Sequence, residues 1–330
     1  MIEADRLMKK YDKDIAVDNV TFTVNEAEIF GFLGPNGAGK TTTINMLTTL
    51  IPPTSGRALI AGFDVVKEQH HVRQNIGLVP QDLTSDPELT GMENISLQAE
   101  MYGMPKDSAK RKVIEMLDLV GLGEVAHRRV STYSGGMRRR LEFAEGLIHS
   151  PKVLFLDEPT LGLDVQTRTV LWNYILKARD EMKLTVFVTT HYMEEADRYC
   201  DRVAIIHGGR LMCIDKPSKL KESLGKNVAE IVMLDSTTGV DAILGNLKQV
   251  LDFKKSGRSY VVTLSDEQEG LSDIFEAFGR ARLKPEKISL LRPSLDSVFL
   301  KLTGSSIGET MESSDARRLM SIKKVRGDKS

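Results

Sequence analysis

The sequence predicts an α/β domain with a mainly parallel sheet, followed by a smaller α+β domain. From residue 1 to about residue 225, short β-rich runs alternate with long helical patterns, which is typical of a parallel sheet flanked by helices. After Gly225 the pattern changes to short strands and short helices. The length of 330 residues is also about that of two ordinary domains.

In the first domain, apolar runs predict strands at 28–33, 153–156, 185–188 and 202–206. Between about Asn94 and Ile148 the strand signals vanish, and apolar residues such as Ile114, Leu117 and Val120 recur at helical spacing. We therefore expect a helical subdomain at about 94–148 within an α/β domain that covers residues 1–225.

The second domain, residues 226–303, is predicted from the order of its elements. Strand patterns at 228–234, 251–254, 259–264 and 287–291 alternate with helical patterns at 240–247 and 271–281. The order β-α-β-β-α-β is ferredoxin-like, and a last helix is expected at 295–302. Residues 304–330 are rich in Ser, Glu, Lys and Arg, which predicts a mobile tail.

The composition excludes several classes of protein. The 45 Lys and Arg residues nearly balance 46 Asp and Glu, which argues against nucleic-acid binding through bulk positive charge. No run approaches the roughly 18 apolar residues of a membrane span, and the start of the chain does not resemble a signal peptide. The two cysteines, Cys200 and Cys213, lie outside any CxxC spacing, so we expect neither a disulfide framework nor a zinc site. The cytosol is the expected compartment.

A glycine-rich loop follows the predicted strand that ends at Leu33. It satisfies GxxxxGK[ST] and precedes a helical pattern, the context in which backbone N–H groups converge on phosphate oxygens. Lys40 is expected to reach the β- and γ-phosphates, and the Thr41 hydroxyl to bind Mg²⁺. The predicted nucleotide-binding residues here are Gly34, Pro35, Asn36, Gly37, Ala38, Gly39, Lys40, Thr41 and Thr42.

Two carboxylates end the apolar strand at 153–156. Asp157 and Glu158 should therefore lie at the carboxyl edge of the sheet, near the glycine-rich loop. Asp157 suits a Mg²⁺ ligand, and Glu158 is the candidate to orient or deprotonate the attacking water. Without the loop, the alternative that the pair simply ends a strand would stay open, and the loop makes the functional interpretation the better one.

Three further positions are ambiguous when taken alone. Ser134, Gly135 and Gly136 begin a helix and could form a second anion-binding nest. His191 follows the strand at 185–188 and should lie at the same sheet edge as Asp157, although a lone histidine is more often structural. Gln81, which follows Pro80, could be a polar turn residue.

Together these segments resemble the nucleotide-binding subunit of the ATP-binding cassette (ABC) superfamily over residues 1 to about 225. The order of the motifs is that of the family: Tyr11, the Walker A loop at 34–42, Gln81, the signature at 133–137, Walker B at 153–158, the D-loop at 161–164, and His191. The resemblance implies that Tyr11 stacks on adenine, although it could also be a plain surface aromatic. It further implies that Gln81 senses Mg²⁺ and the γ-phosphate, that His191 is the switch histidine, and that Asp164 reaches a dimer interface.

The signature departs from the usual pattern at both ends. Tyr133 stands where the family usually has Leu, and Met137 where it has Gln, whereas the anion-contacting Ser-Gly-Gly core is intact. The sequence YSGGMRRR at residues 133–140 and the extra C-terminal domain resemble the multidrug and daunorubicin-resistance branch of ABC type 2 exporters.

The resemblance implies an ATPase that uses ATP and Mg²⁺ to drive export of hydrophobic drugs, lipids or polysaccharide. A second copy of the chain would complete the ATP site head to tail, and a polytopic membrane permease would dock near residues 81–102. The subunit would be cytoplasmic, at the inner face of the membrane, and no nucleic-acid partner is expected.

Two other classes of ABC protein compete with this interpretation. Soluble ABC ATPases of DNA or RNA metabolism carry a long coiled coil or a second cassette, and the sequence has neither sustained heptads nor a second GK[ST] loop. Importer ATPases usually carry a β-barrel extension, which the β-α-β-β-α-β pattern does not resemble.

One basic run needs its own interpretation. Arg138, Arg139 and Arg140 could suggest nucleic-acid binding, but Glu142 and Glu145 follow on the same helix. The sequence therefore predicts a solvated face with salt bridges.

Overall fold

The computed structural model describes residues 1–223, 227–234, 238–291 and 294–304. It contains two compact units. One comprises Met1–His191 and Tyr199–Ile214, and the other comprises Tyr192–Arg198 and the residues from Asp215 onward. From residue 305, the predicted tail lies outside the described residues.

The first unit contains two sheets. Its strands are β1 (Ile2–Tyr11), β2 (Asp14–Val24), β3 (Ile29–Leu33), β4 (Ser55–Ile60), β5 (Phe63–Asp64), β6 (Ile76–Val79), β7 (Val153–Asp157), β8 (Thr185–Thr190), β9 (Arg202–His207) and β10 (Arg210–Asp215). Its helices are α1 (Lys40–Leu47), α2 (Gln69–Asn75), α3 (Gly91–Met101), α4 (Lys106–Leu119), α5 (Gly135–Leu147) and α6 (Val165–Met182). The next helix along the chain, α7 (Met193–Tyr199), belongs to the second unit except for its last residue.

The larger sheet is mainly parallel, as the sequence predicts. Its order is β10-β9-β3-β8-β7-β6, and the pairs from β9 to β6 are parallel. Strands β3, β7 and β8 are buried along their whole length, which explains their continuous apolar runs. Because these strands are parallel, the residues that follow them meet at one edge of the sheet.

The smaller sheet, with the order β2-β1-β4-β5, is antiparallel and was not anticipated from the sequence. Its pattern is nonetheless visible in β2, where Val20, Phe22 and Val24 alternate with more exposed residues. Phe22 packs against Phe30 and Phe187 of the parallel sheet, with ring centroids 5.7 and 5.9 Å away. The two sheets therefore share one aromatic core.

Helices α3, α4 and α5 lie between β6 and β7, in the region where strand patterns vanish from the sequence. Helix α3 begins at Gly91 because Thr90 and Glu93 form a reciprocal capping box there. No helix among the described residues is long and apolar enough to cross a membrane.

The second unit contains the predicted β-α-β-β-α-β order. After α8 (Pro217–Glu222), its elements are β11 (Val228–Met233), α9 (Val240–Asn246), β12 (Val250–Ser256), β13 (Ser259–Leu264), α10 (Glu267–Arg280), β14 (Pro285–Leu291) and α11 (Leu295–Thr303). The sheet order β12-β13-β11-β14 is antiparallel throughout, which confirms a small α+β domain. Helix α10 begins four residues earlier than predicted because the Asp266 side chain accepts a hydrogen bond from the Glu269 N–H.

Candidate functional site

The glycine-rich loop connects β3 to α1, as predicted. Gly39 caps α1 with a φ of 102°, and a Cβ atom there would lie 2.4 Å from the carbonyl oxygen of Ala16. A Cβ atom at Gly34 would also lie 2.4 Å from a carbonyl oxygen, that of Ile206. Only glycine fits these two positions, so neighbouring strands fix the path of the loop.

Lys40 is buried inside this loop. Its ammonium donates hydrogen bonds to the carbonyl oxygens of Gly34, at 2.8 Å, and Pro35, at 3.2 Å. It also lies 2.9 Å from Oε1 of Glu158, at the end of β7. Lys40 therefore places one positive charge between the phosphate loop and the candidate base.

Glu158 is held from two sides. Its second oxygen, Oε2, lies 2.8 Å from Nδ1 of His191, so three residues from three different segments meet at the predicted sheet edge. Burial by itself would raise the pKa of the Glu158 carboxyl, but the His191 hydrogen bond and the charge of Lys40 outweigh it and lower the pKa. An ionised Glu158 suits the orientation of a water molecule better than complete removal of its proton.

The neighbouring Asp157 is buried and accepts a hydrogen bond from the hydroxyl of Thr189 at 2.5 Å. The same hydroxyl accepts a hydrogen bond from the Glu158 N–H at 3.0 Å. Thr189 thus orients both carboxylate residues from the adjacent strand β8. This role of Thr189 could not be predicted from the sequence, because its partners lie more than thirty residues away in the chain.

The signature residues begin α5. Ser134 is the cap, and its hydroxyl accepts a hydrogen bond from the Met137 N–H at 3.2 Å. Tyr133, at the position where the family usually has Leu, is buried, and its hydroxyl donates to the carbonyl oxygen of Val125 at 2.7 Å. The buried hydroxyl of Tyr133 therefore has a hydrogen-bond partner. Ser134 and Gly135 remain exposed at the helix start.

Three predicted residues lie at the exposed margins of the unit. Asp164 caps α6, and both of its carboxylate oxygens accept hydrogen bonds from Thr167, at 2.9 and 2.6 Å. Tyr11, at the end of β1, has 46% of its surface exposed, and the Lys9 ammonium lies 5.3 Å from its ring centroid. Gln81 is exposed just beyond β6, and its carbonyl oxygen accepts a hydrogen bond from Arg139 at 2.7 Å.

The arginine run differs from the solvated face that its sequence predicts. Arg139 is 4% exposed and forms an ion pair with the equally buried Glu142, with 3.0 Å between Nη1 and Oε2. Glu145 is also buried. The expected salt bridge exists, but the exposure was wrong because this face of α5 packs against the residues that follow β6.

Known proteins match this chain along nearly its whole length. A family model described as "ABC transporter" matches residues 17–161, and one described as "ATP-binding protein DrrA1-3-like, C-terminal domain" matches residues 216–303. The daunorubicin/doxorubicin resistance ATP-binding protein DrrA of Streptomyces peucetius is 38% identical over 306 residues, or 92% of each chain. The Nod factor export ATP-binding protein I of Burkholderia lata is 38% identical over 309 residues, or 92% of this chain and 97% of that one.

A solved structure agrees with these relatives. The dimeric MJ0796, a bacterial ABC transporter cassette, matches with a TM-score of 0.60 and 28% identity, covering 66% of this chain and 98% of the other. The chain belongs to the ABC transporter family, in which it is an ATP-binding subunit with ATPase chemistry. Its matched C-terminal region and its likeness to DrrA place it with the drug-resistance ATP-binding proteins of that family. These findings favour an exporter subunit over an ABC ATPase of DNA or RNA metabolism.

Proposed function

We propose that this chain hydrolyses ATP at the Lys40–Glu158–His191 site and thereby drives export through a separate membrane permease. The observation that carries the proposal is the meeting of these three side chains beside the phosphate loop. Lys40 and the loop N–H groups hold the phosphates, and Glu158 orients the attacking water. His191 holds Glu158 and reaches the γ-phosphate, while Tyr11 stacks on adenine.

A magnesium ion fits the same edge of the sheet. Thr41 is exposed at the start of α1, Asp157 ends the strand β7 that α1 contacts, and Gln81 adds an amide oxygen, so the donors are the hard oxygens that Mg²⁺ prefers. The described residues contain no cluster of three or more His, Cys, Asp or Glu side chains that could cage a metal. Such a site suits Mg²⁺, which is commonly held by one or two protein groups together with substrate phosphates, whose charge it neutralises.

The proposed working form contains two copies of the chain, head to tail. Ser134, Gly135 and Gly136 would bind ATP held by the loop of the partner copy, and Asp164 would lie at the interface between them. The exposed apolar side chains beside Asp164 support this, because Val165 has 77% of its surface exposed and Leu161 39%. The dimeric relative provides further support.

The permease would dock on the surface between Gln81 and Tyr102, at the inner face of the membrane. Met101 and Tyr102 are exposed there, and a groove of about 440 Å³ between α3 and α4 is lined by apolar residues such as Leu97 and Met104. The drug-resistance names of the relatives support hydrophobic drugs as the exported class, with lipids and polysaccharide as alternatives. In this arrangement, residues 1–225 are the ATPase domain and 226–303 an accessory domain.

The base assignment is tested by Glu158→Gln, which keeps the size of the side chain but removes its charge and replaces one accepting oxygen by an NH2 group. We expect the turnover number to fall about 100-fold or more, with ATP affinity retained because Lys40 and the loop remain. Glu181→Gln, at an exposed glutamate on α6, is the matched control. Unchanged hydrolysis in Glu158→Gln would refute the assignment. With ATP and Mg²⁺ present, the same variant should sediment as a dimer.

The transport role is tested by capture of the tagged chain from detergent-solubilised membranes. Recovery of a polytopic membrane protein whose presence raises the ATPase rate would support the proposal. If only soluble partners were recovered, together with DNA or RNA, a role in nucleic-acid metabolism would replace it.

A further inference from the structure

Helix α5 carries three charged side chains on one buried face. Arg139, Glu142 and Glu145 are spaced three residues apart and are 4%, 2% and 8% exposed. Arginine and glutamate are seldom buried unless they are paired. Buried ion pairs add little net stability relative to apolar packing, so their presence here calls for another explanation.

All three side chains hold the same segment, residues 80–85, which we call the Gln81 loop. The two terminal nitrogens of Arg139 donate to the carbonyl oxygens of Pro80 and Gln81, each at 2.7 Å. Oε1 of Glu142 accepts a hydrogen bond from the Thr84 N–H. Arg139 thus binds the carbonyl oxygens of the two peptide bonds that flank Gln81.

Glu145 adds a third point of attachment. Its two carboxylate oxygens accept from the Ser85 hydroxyl, at 3.1 and 3.2 Å. The loop follows β6 and contains no strand or helix of its own, so these contacts determine where its backbone lies.

We propose that Arg139, Glu142 and Glu145 are positioning residues that fasten the Gln81 loop to the signature helix. Displacement of α5 must then carry Gln81 with it, or break the hydrogen bonds that these buried side chains make to the loop. Ser134, at the start of the same helix, lies only about 7.5 Å along the axis from Arg139. The tether therefore connects the signature, which would contact one ATP, to the glutamine that serves the other. This inference rests on the role proposed above for Gln81.

A double-mutant cycle on the full-length chain tests the proposal. We expect Arg139→Gln to lower the turnover number for ATP about 10- to 100-fold, because small misplacements of a catalytic group have effects of this size. The dissociation constant for ATP, measured with a fluorescent analogue, should change by less than about twofold, since Arg139 touches no proposed nucleotide contact other than through Gln81. In a Gln81→Ala background, Arg139→Gln should cause little further loss.

Arg140→Gln is the matched control. It removes the same charge from the next residue, whose guanidinium donates instead to the carbonyl oxygen of Val120 at 2.8 Å. The control should retain the turnover number of the wild type. If Arg139→Gln prevents folding, Ser85→Ala takes its place, because it removes the contact with Glu145 without removing a charge. Ser85→Ala should lower the turnover number severalfold, again only when Gln81 is present.

The outcomes separate the two proposals. If Gln81→Ala leaves hydrolysis intact, the role of Gln81 in the proposed function is wrong, and the tether inference falls with it. Gln81→Ala could instead impair hydrolysis while Arg139→Gln and Ser85→Ala cause the same fold loss in turnover with and without Gln81. In that case the tether inference is overturned and the role of Gln81 stands.

Discussion

At the scale of single residues, the balance between burial and nearby charged or hydrogen-bonding groups sets the pKa of each buried carboxylate. Glu158 and Glu145 are both buried, yet their pKa values move in opposite directions. Glu158 has His191 and Lys40 as partners, whereas Glu145 has only the neutral Ser85 hydroxyl to offset burial and lies near the like charge of Glu142. The same residue type is therefore ionised at the position of the candidate base and binds a proton more readily at the other position.

Glu145 should make stability depend on pH. Burial raises its pKa from 4.5 to about 7, so the folded state binds a proton that the unfolded state releases. Relative to Glu145→Gln, the free energy of unfolding of the wild type should therefore fall by about 3 kcal/mol as pH rises from about 4.5 to about 7, and change little above that.

Urea denaturation across this pH range measures the effect. Glu181→Gln, at an exposed position, should follow the wild-type curve. Parallel curves for the wild type and Glu145→Gln would show that Glu145 keeps an ordinary pKa in the folded protein.

At the scale of elements, α5 has three functions along its length. Its first residues form the candidate anion nest, one face holds the Gln81 loop, and its start packs against α6. The contact with α6 is at Gly136, where an added Cβ atom would lie 2.3 Å from Cγ2 of Thr167. No such neighbour lies within 4 Å of the position of a Cβ atom at Gly135.

These two glycines form a matched pair of variants. Gly136→Ala should lower the free energy of unfolding by about 1–3 kcal/mol, because the β-branched Thr167 has little rotamer freedom on a helix with which to avoid the new methyl group. Gly135→Ala should be neutral or slightly stabilising, since alanine favours a helix over glycine. Chemical denaturation of both variants measures this difference, and equal losses would contradict the close packing of Gly136 against Thr167.

The elements also show where sequence reasoning succeeds. The parallel strands and the βαββαβ order could be predicted because apolar runs and turn residues recur at the spacing of each element. The antiparallel sheet was missed because β1 has broken alternation, with register shifts on both sides of Leu7. The burial of Arg139 was missed because its partners, Pro80 and Gln81, are almost sixty residues away in the chain.

At the scale of the whole molecule, the two units have separate cores. The core of the first unit includes Phe22, Phe30 and Phe187, and that of the second includes Tyr260, Ile274 and Phe278. The phosphate loop and every predicted site residue belong to the first unit. Nucleotide binding should therefore stabilise one unit directly and the other only through coupling.

Calorimetry should resolve this arrangement. We expect two thermal transitions. ATP at 100 times its dissociation constant should raise the midpoint temperature of only one of them, because it adds about 2.7 kcal/mol to the free energy of unfolding of that unit. Lys40→Ala should abolish the shift and keep both transitions. A single transition that moves as a whole with ATP would show that the two units unfold as one.

The sequence by itself determined the chemistry of this protein, because the phosphate loop, the acidic strand end and the signature are short local patterns whose residue types have few other uses. It also determined the β-α-β-β-α-β order of the second unit and four of the parallel strands of the first. Only the tertiary structure decided which charges are buried, how Lys40 and His191 meet on Glu158, and how α5 holds the Gln81 loop. Those features arise from contacts between residues distant in the chain, and local periodicity carries no information about such contacts.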